Sequence, residues 1–140
     1  YSTTNGTVAL RGAAGAADVY AAALLNGRAV IDHVLARHPD RTILIVCSGS
    51  IGNFNLEDYY GAGYLVELLA ERLGEGADFS DAARVARTLY RSGDPIPALT
   101  NCRVGRMMLA RGLAHEIAYA AQRSRHDVVP RLASGRLVPA

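Results

Sequence analysis

The spacing of apolar residues changes period several times along the chain. Residues 26–37 place Val30, Val34 and Leu35 on one face, which predicts a helix with Asn26 as its N-cap. Residues 38–41 predict a turn, because Pro39 pushes the residue before it out of helical space. Residues 42–47 form a continuous β-branched and aliphatic run, the pattern of a strand covered on both faces. Residues 55–73 repeat Leu56, Tyr59, Tyr60, Gly63, Tyr64 and Leu68 at helical spacing, with Gly74 as the stop. A further helix is predicted from Phe79-Ser80-Asp81 to Tyr90, then a loop over 92–97. Two more helical pieces follow over 101–110 and 113–123. Residues 127–132 and 134–139 predict a short extended pair around a Ser-Gly turn. Residues 8–23 are rich in Ala and Gly and carry little period; residues 19–24 predict a strand, and residues 1–7 a polar loop. Alternating strand and helix signals place the chain in the α/β class, as one segment over residues 1–140.

Composition narrows the chemistry. With 140 residues the chain can bury a substantial core, and 50% hydrophobic residues fit a globular class. The net charge of +2 is small and the basic residues are scattered, which argues against a nucleic-acid partner. All 15 basic residues are arginine, so a Walker lysine or a lysine Schiff base is excluded within this segment. Two cysteines, Cys47 and Cys102, are too few for a disulfide scaffold, and the expectation is a reducing, cytoplasmic compartment. The longest apolar runs fall short of a bilayer span, so no membrane partner is expected. The chain opens on a polar stretch without an initiator Met, and a fragment, a processed chain and a recombinant segment all fit that beginning.

Candidate chemistry gathers where the greasy run ends. Cys47-Ser48-Gly49-Ser50 is a Gly/Ser loop at a predicted strand end, where α/β proteins collect ligands. Backbone N–H groups at such a loop, with the Ser48 and Ser50 hydroxyls, suit phosphate oxygens; a plain turn between elements also fits. Glu57 and Asp58 follow. One reading makes Asn55 the N-cap and Asp58 the N3 acid of a capping-box pattern. The other makes the two carboxylates ligands of Mg²⁺ beside a phosphate. Thr3, Thr4, Asn5, Gly6 and Thr7 form a second polar cluster, either a surface turn or a phosphate contact. Asn53, rather than Arg, stands six residues after Cys47, which excludes a cysteine-phosphatase loop. The four histidines show no metal-ligand spacing and are assigned no role.

The blocks STTNGT at 2–7, Asn26, CSGSIGNFNLEDYYGAG at 47–63 and RVGRMMLARG at 103–112 resemble the 2-phosphosulfolactate phosphatase family of coenzyme M biosynthesis. The resemblance runs from Ser2 nearly to the end of the chain. It implies a three-layer α/β/α fold with a largely parallel sheet and intertwined repeats. It also implies that the chain is a C-terminal portion of a longer domain. The implied activity is Mg²⁺-dependent hydrolysis of a small anionic phosphate ester to 3-sulfolactate and phosphate. Glu57 and Asp58 are the implied metal-binding and catalytic residues. Thr3, Thr4, Asn5, Gly6, Thr7, Asn26, Ser48, Gly49, Ser50 and Arg106 are the implied substrate contacts. The family's third block has a Ser and a His ahead of Gly-Arg; Asn101, Cys102 and Val104 occupy that region here. The alternative function is a non-catalytic anion-binding domain. Association is expected, as a homo-oligomer or with a missing N-terminal portion, because uncovered strand edges favour pairing.

Overall fold

A computed structural model describes residues 5–74 and 76–140. Its helices are α1 (Gly6–Gly12), α2 (Gly27–Arg37), α3 (Leu56–Leu73), α4 (Asp81–Arg91), α5 (Pro95–Asn101), α6 (Arg103–Ala110) and α7 (Ala114–Ala120). A short 3₁₀ turn, Leu24–Asn26, leads into α2. Strands β1 (Pro130–Ala133) and β2 (Arg136–Pro139) close the chain as an antiparallel hairpin, with Pro130 opposite Pro139 and Ala133 opposite Arg136.

The predicted three-layer α/β/α fold with a largely parallel sheet is not what forms. The described chain is chiefly helical, and its sheet is the β1–β2 hairpin. The decisive segment is the run at 42–47. No backbone hydrogen bond joins residues 42–48 to another described residue. Their side chains alternate instead. Ile43 and Ile45 pack against the core, while Leu44 is 83% and Val46 57% exposed. One apolar row suffices to lay a segment on a helical core, whereas a sheet needs a second segment alongside to receive the backbone groups. The predicted strand at 19–24 is reduced to one bridge, Tyr20 to Arg131. It is reinforced by Ala21 N–H to Pro130 O (2.9 Å) and Leu132 N–H to Val19 O (2.8 Å). Further corrections are local. Residues expected as a polar loop start α1 at Gly6, and Pro95 opens α5 inside the expected loop at 92–97. Proline suits the first turn of a helix because its missing N–H has no intrahelical partner there. The C-terminal hairpin forms around Ser134-Gly135 as its sequence predicts.

The core centres on α3. Tyr60, Tyr64, Leu65, Leu68 and Leu69 cluster with Leu24 and Ile31, and Tyr60 and Leu68 are the most completely buried large side chains. The predicted periodicity of 55–73 is therefore real. Helix α4 lies against α3 at Gly63, where an added Cβ would overlap the Ala86 carbonyl oxygen. Charge reinforces the same interface. Glu67 of α3 accepts hydrogen bonds from Arg87 Nε (2.7 Å) and from Arg91 Nε (2.7 Å) and Nη2 (2.8 Å) of α4. Behind α3, Ser124 joins three parts of the chain. Its N–H donates to Leu24 O (2.7 Å), its Oγ accepts the Arg28 N–H (2.9 Å), and it pairs with the Tyr64 hydroxyl (2.6 Å). Among the described residues no helix is long and apolar enough to cross a membrane.

The α3–α4 contact can be tested from its backbone side and from its charged side. Gly63→Ala forces a methyl into a peptide carbonyl, and a loss of about 2–4 kcal/mol is expected, read as a fall in thermal midpoint of roughly 10 °C. A change below about 2 °C would show that α4 is free to slide. The Arg91 hydrogen bond, chiefly, and the Arg87 contacts hold the Glu67 carboxyl below its ordinary value near 4.5, against a smaller opposing effect of burial. A carboxyl depressed only in the folded state stabilises fully above its unfolded pKa and loses that contribution as pH falls through the folded value. Glu67→Gln should therefore lower the denaturation midpoint at pH 7, and the difference from wild type should shrink below about pH 4.

Candidate functional site

The loop from Cys47 to Asn53 turns back on itself. Ser50 and Asn53 exchange backbone hydrogen bonds, Ser50 N–H to Asn53 O at 3.0 Å and Asn53 N–H to Ser50 O at 2.9 Å. Gly49 sits at φ +63°, and a Cβ there would stand 2.6 Å from the Asn53 carbonyl oxygen, so the turn requires glycine. Ile51 takes φ +51° while 90% exposed. A β-branched residue is strained in that region, and its own neighbours hold it there.

The side chains that hold the loop come from two places in the chain, the start of α1 and the start of α3. Asp58, in the first turn of α3, accepts the Gly49 N–H (2.7 Å) and the Ser48 hydroxyl (3.2 Å) on Oδ2. Asn5, at the start of α1, accepts the Ile51 N–H on Oδ1 and donates Nδ2 to Ser50 Oγ, both at 3.2 Å. Asn55 donates its own Nδ2 to the same Ser50 Oγ (3.2 Å), and its Oδ1 accepts Arg103 Nη2 of α6 at 3.1 Å. The orientation of both amides follows from chemistry. A backbone N–H and a guanidinium can only donate, so each amide oxygen must face them and each amide nitrogen must face Ser50. Ser50 Oγ thus accepts twice, which fills both its lone pairs and leaves its O–H as a donor.

A cleft of about 580 Å³ opens beside this network, lined by Asn53 to Glu57 on one side and Asn101, Cys102, Arg103 and Arg106 on the other. Glu57 and Asp58 are neighbours in sequence, but a helix turns roughly 100° per residue and sends them to different tasks. Asp58 holds the loop; Glu57 lines the cleft beside the Cys102 thiol, with no ion-pair partner among the described residues. Burial, chiefly, pushes that thiol up, and the Glu57 carboxylate adds to the shift. Burial and then the Asp58 carboxylate push the Cys47 thiol up as well. Both sulfurs are therefore held as neutral thiols rather than nucleophilic thiolates. Cys102 caps α6 instead, accepting the Gly105 N–H on Sγ at 3.1 Å.

The predicted site residues divide cleanly. Asn5, Ser48, Gly49, Ser50 and Asp58 come together at the loop, and Glu57 and Arg106 at the cleft beside it. Gly6 and Thr7 begin α1 after Asn5; Thr3 and Thr4 lie outside the described residues. Asn26 is buried and committed to backbone. Its Oδ1 accepts the Ala23 N–H (2.8 Å), and its Nδ2 reaches Ala21 O (3.2 Å) and Val128 O (3.0 Å). Asn26 and Asn55 both stand at N-cap positions, yet neither side chain caps its helix. The capping-box pattern of Asn55 and Asp58 is thus unused, and both side chains turn to the loop. Arg106 directs Nη1 to the Asn101 carbonyl oxygen. Sequence reasoning misses Arg103 and Asn55 as members of this network, although Arg103 and Arg106 stand three apart and so share one face of α6.

The sequence profile of the family described as 2-phosphosulpholactate phosphatase matches residues 1–135. The chain belongs to that family. A relative from Deinococcus radiodurans is 42% identical, over 99% of this chain and 58% of its own length. One from Carboxydothermus hydrogenoformans is 38% identical, over 98% and 57%. One from Symbiobacterium thermophilum is 34% identical, over 99% and 59%. Each carries the name "Probable 2-phosphosulfolactate phosphatase". The chain therefore spans under two thirds of the length of the curated relatives it matches.

Asp58→Ala removes both acceptor contacts that pin Ser48 and Gly49. Amide exchange at Gly49 should rise by roughly tenfold or more, with a thermal midpoint only a few degrees lower. Unchanged exchange at that amide would mean that Asn5 and Asn55 hold the turn without Asp58.

Proposed function

We propose that the whole protein to which this chain belongs is a phosphoric monoester hydrolase acting on 2-phospho-3-sulfolactate or a similar small anionic ester, releasing 3-sulfolactate and phosphate. The observation that carries this reading is the Gly49-Ser50 turn, presented beside a cleft that holds Glu57, Arg103 and Arg106. A phosphate monoester offers several strong acceptor oxygens, and a Ser50 O–H restricted to donating matches them. The cleft arginines suit the carboxylate and sulfonate of the same substrate, because a guanidinium pairs with such anions through two N–H groups. A place in coenzyme M biosynthesis and a cytoplasmic setting accord with that substrate.

Mg²⁺ fits this donor set through Glu57. A hard cation takes one or two carboxylates together with phosphate oxygens and water. Glu57 faces the cleft without an ion-pair partner among the described residues; Asp58 already accepts two hydrogen bonds on one oxygen. Bound Mg²⁺ would supply charge neutralisation on the phosphate and alignment of the ester. The residues of this chain bind and orient. Ser50 and the loop amides receive phosphate oxygens, Asp58 keeps the loop folded, and the arginines hold the non-reacting end. The exposed Leu44 and Val46 edge supports association, as a homo-oligomer or with further parts of the family's domain.

One observation favours a second reading, an anion-binding domain without turnover. Among the described residues, no group of three or more His, Cys, Asp or Glu side chains stands together to hold a metal. The test is phosphate release from 2-phosphosulfolactate by the whole natural chain, with Mg²⁺ and with chelator. Release should need Mg²⁺ and fall by roughly a hundredfold or more in Glu57→Gln. Phosphate binding without release would favour the second reading, and release indifferent to chelator would remove Mg²⁺ from the mechanism.

A further inference from the structure

Asn55 is a buried amide with charge chemistry on both sides of it, and the inference drawn from it rests on the phosphatase reading. It is 8% exposed and is held by Ser50 on its nitrogen and Arg103 on its oxygen. We infer that Asn55 is a positioning residue that sets two anion-binding groups at once: the Ser50 hydroxyl for the reacting phosphate, and Arg103 for the substrate's second anionic group.

The geometry separates the two cleft arginines. Arg106 turns Nη1 to the carbonyl of Asn101, at the end of α5. Arg103 turns Nη2 to Asn55 and pairs with no carboxylate among the described residues. One hydrogen bond uses a small part of a guanidinium that carries five N–H donors. That contact anchors one arm of the fork and leaves its other N–H groups without a hydrogen bond to a described residue. Only one amide lies between the Ser50 hydroxyl and Arg103, so the two groups stand no more than about 9 Å apart. A three-carbon ester with phosphate on its middle carbon and an anion on an end carbon fits within such a span. The same amide supplies the second of the two hydrogen bonds that leave the Ser50 O–H to donate. Position and proton direction on the phosphate side, and guanidinium orientation on the other, therefore depend on one side chain.

The test uses the whole natural chain and two readouts. Calorimetry measures binding of 3-sulfolactate, which lacks the phosphate. Steady-state kinetics compare kcat/KM for 2-phosphosulfolactate with that for phenyl phosphate, which lacks the second anion. Arg103→Met should weaken 3-sulfolactate binding by roughly ten- to a hundredfold and lower the ratio of the two kcat/KM values by about tenfold or more. Arg103→Lys keeps the charge without the fork and should recover part of the affinity. Asn55→Asp keeps the shape but cannot donate to Ser50, which must turn its proton inward, and it sets a carboxylate against Arg103. Both kcat/KM values should then fall, that for 2-phosphosulfolactate by the larger factor. Turnover that needs Mg²⁺, with 3-sulfolactate binding unchanged in Arg103→Met, overturns the inference and leaves the phosphatase reading standing. Failure of the wild type to bind 3-sulfolactate also overturns the inference. Arg103-dependent binding without any phosphate release keeps this subsite and overturns the phosphatase reading.

Discussion

Helix α3 must be covered on most of its circumference, and the other elements are arranged around that requirement. An 18-residue helix that buries Tyr60, Tyr64, Leu65, Leu68 and Leu69 cannot stand in water. Each such side chain contributes roughly 1.5–3 kcal/mol when fully buried. Helix α4 covers one side by backbone approach at Gly63 and by the Glu67 clamp. Helix α2, with Ile31, and the segment carrying Ile43 and Ile45 cover others. Because α3 is held this firmly along its length, its first turn is a rigid support for functional groups.

That first turn uses its acids differently from a helix start alone. Acids near a helix N-terminus interact favourably with the macrodipole, which suffices to explain their presence. The structure adds a division of labour. Asp58 ties down a strained loop that has a left-handed Gly49 and a left-handed Ile51, and Glu57 faces the cleft. A loop held in sparsely populated dihedrals by side-chain acceptors is already organised before any ligand arrives, and this lowers the ordering cost of binding. The electrostatics agree. One carboxylate and two guanidiniums line the cleft without pairing with one another at ion-pair distance, so an anion and a cation can both find complementary charge there.

The 42–48 segment shows the opposite condition. Its backbone groups make no backbone hydrogen bond to another described residue, and its Leu44 and Val46 side chains are exposed. The loop is therefore firmly held on its α3 side and loosely supported on the side of the incoming chain. The conformation of Ser48 to Ser50 depends on Asp58, Asn5 and Asn55 more than on any sheet behind it.

Local pattern was enough to specify the helices that bury an apolar stripe. The spacing from Leu56 to Leu68, Gly74 as the stop, the helix of 27–37 and the final hairpin were all legible, because each depends on contacts a few residues apart. Ser48, Gly49, Ser50 and Asp58 do meet at the loop, but their local pattern fits a plain turn and a helix start as well as a ligand site. Long-range packing chose everything else. Whether Thr42 to Cys47 becomes a strand depends on a second segment alongside it, and local pattern carries no information about one. Asn26 and Asn55 carry the same local signal for an N-cap, yet distant partners claimed both side chains, Val128 in one case and Arg103 in the other. An amide bonds whichever donor and acceptor the fold brings within about 3 Å, and that choice is made only when distant parts of the chain meet.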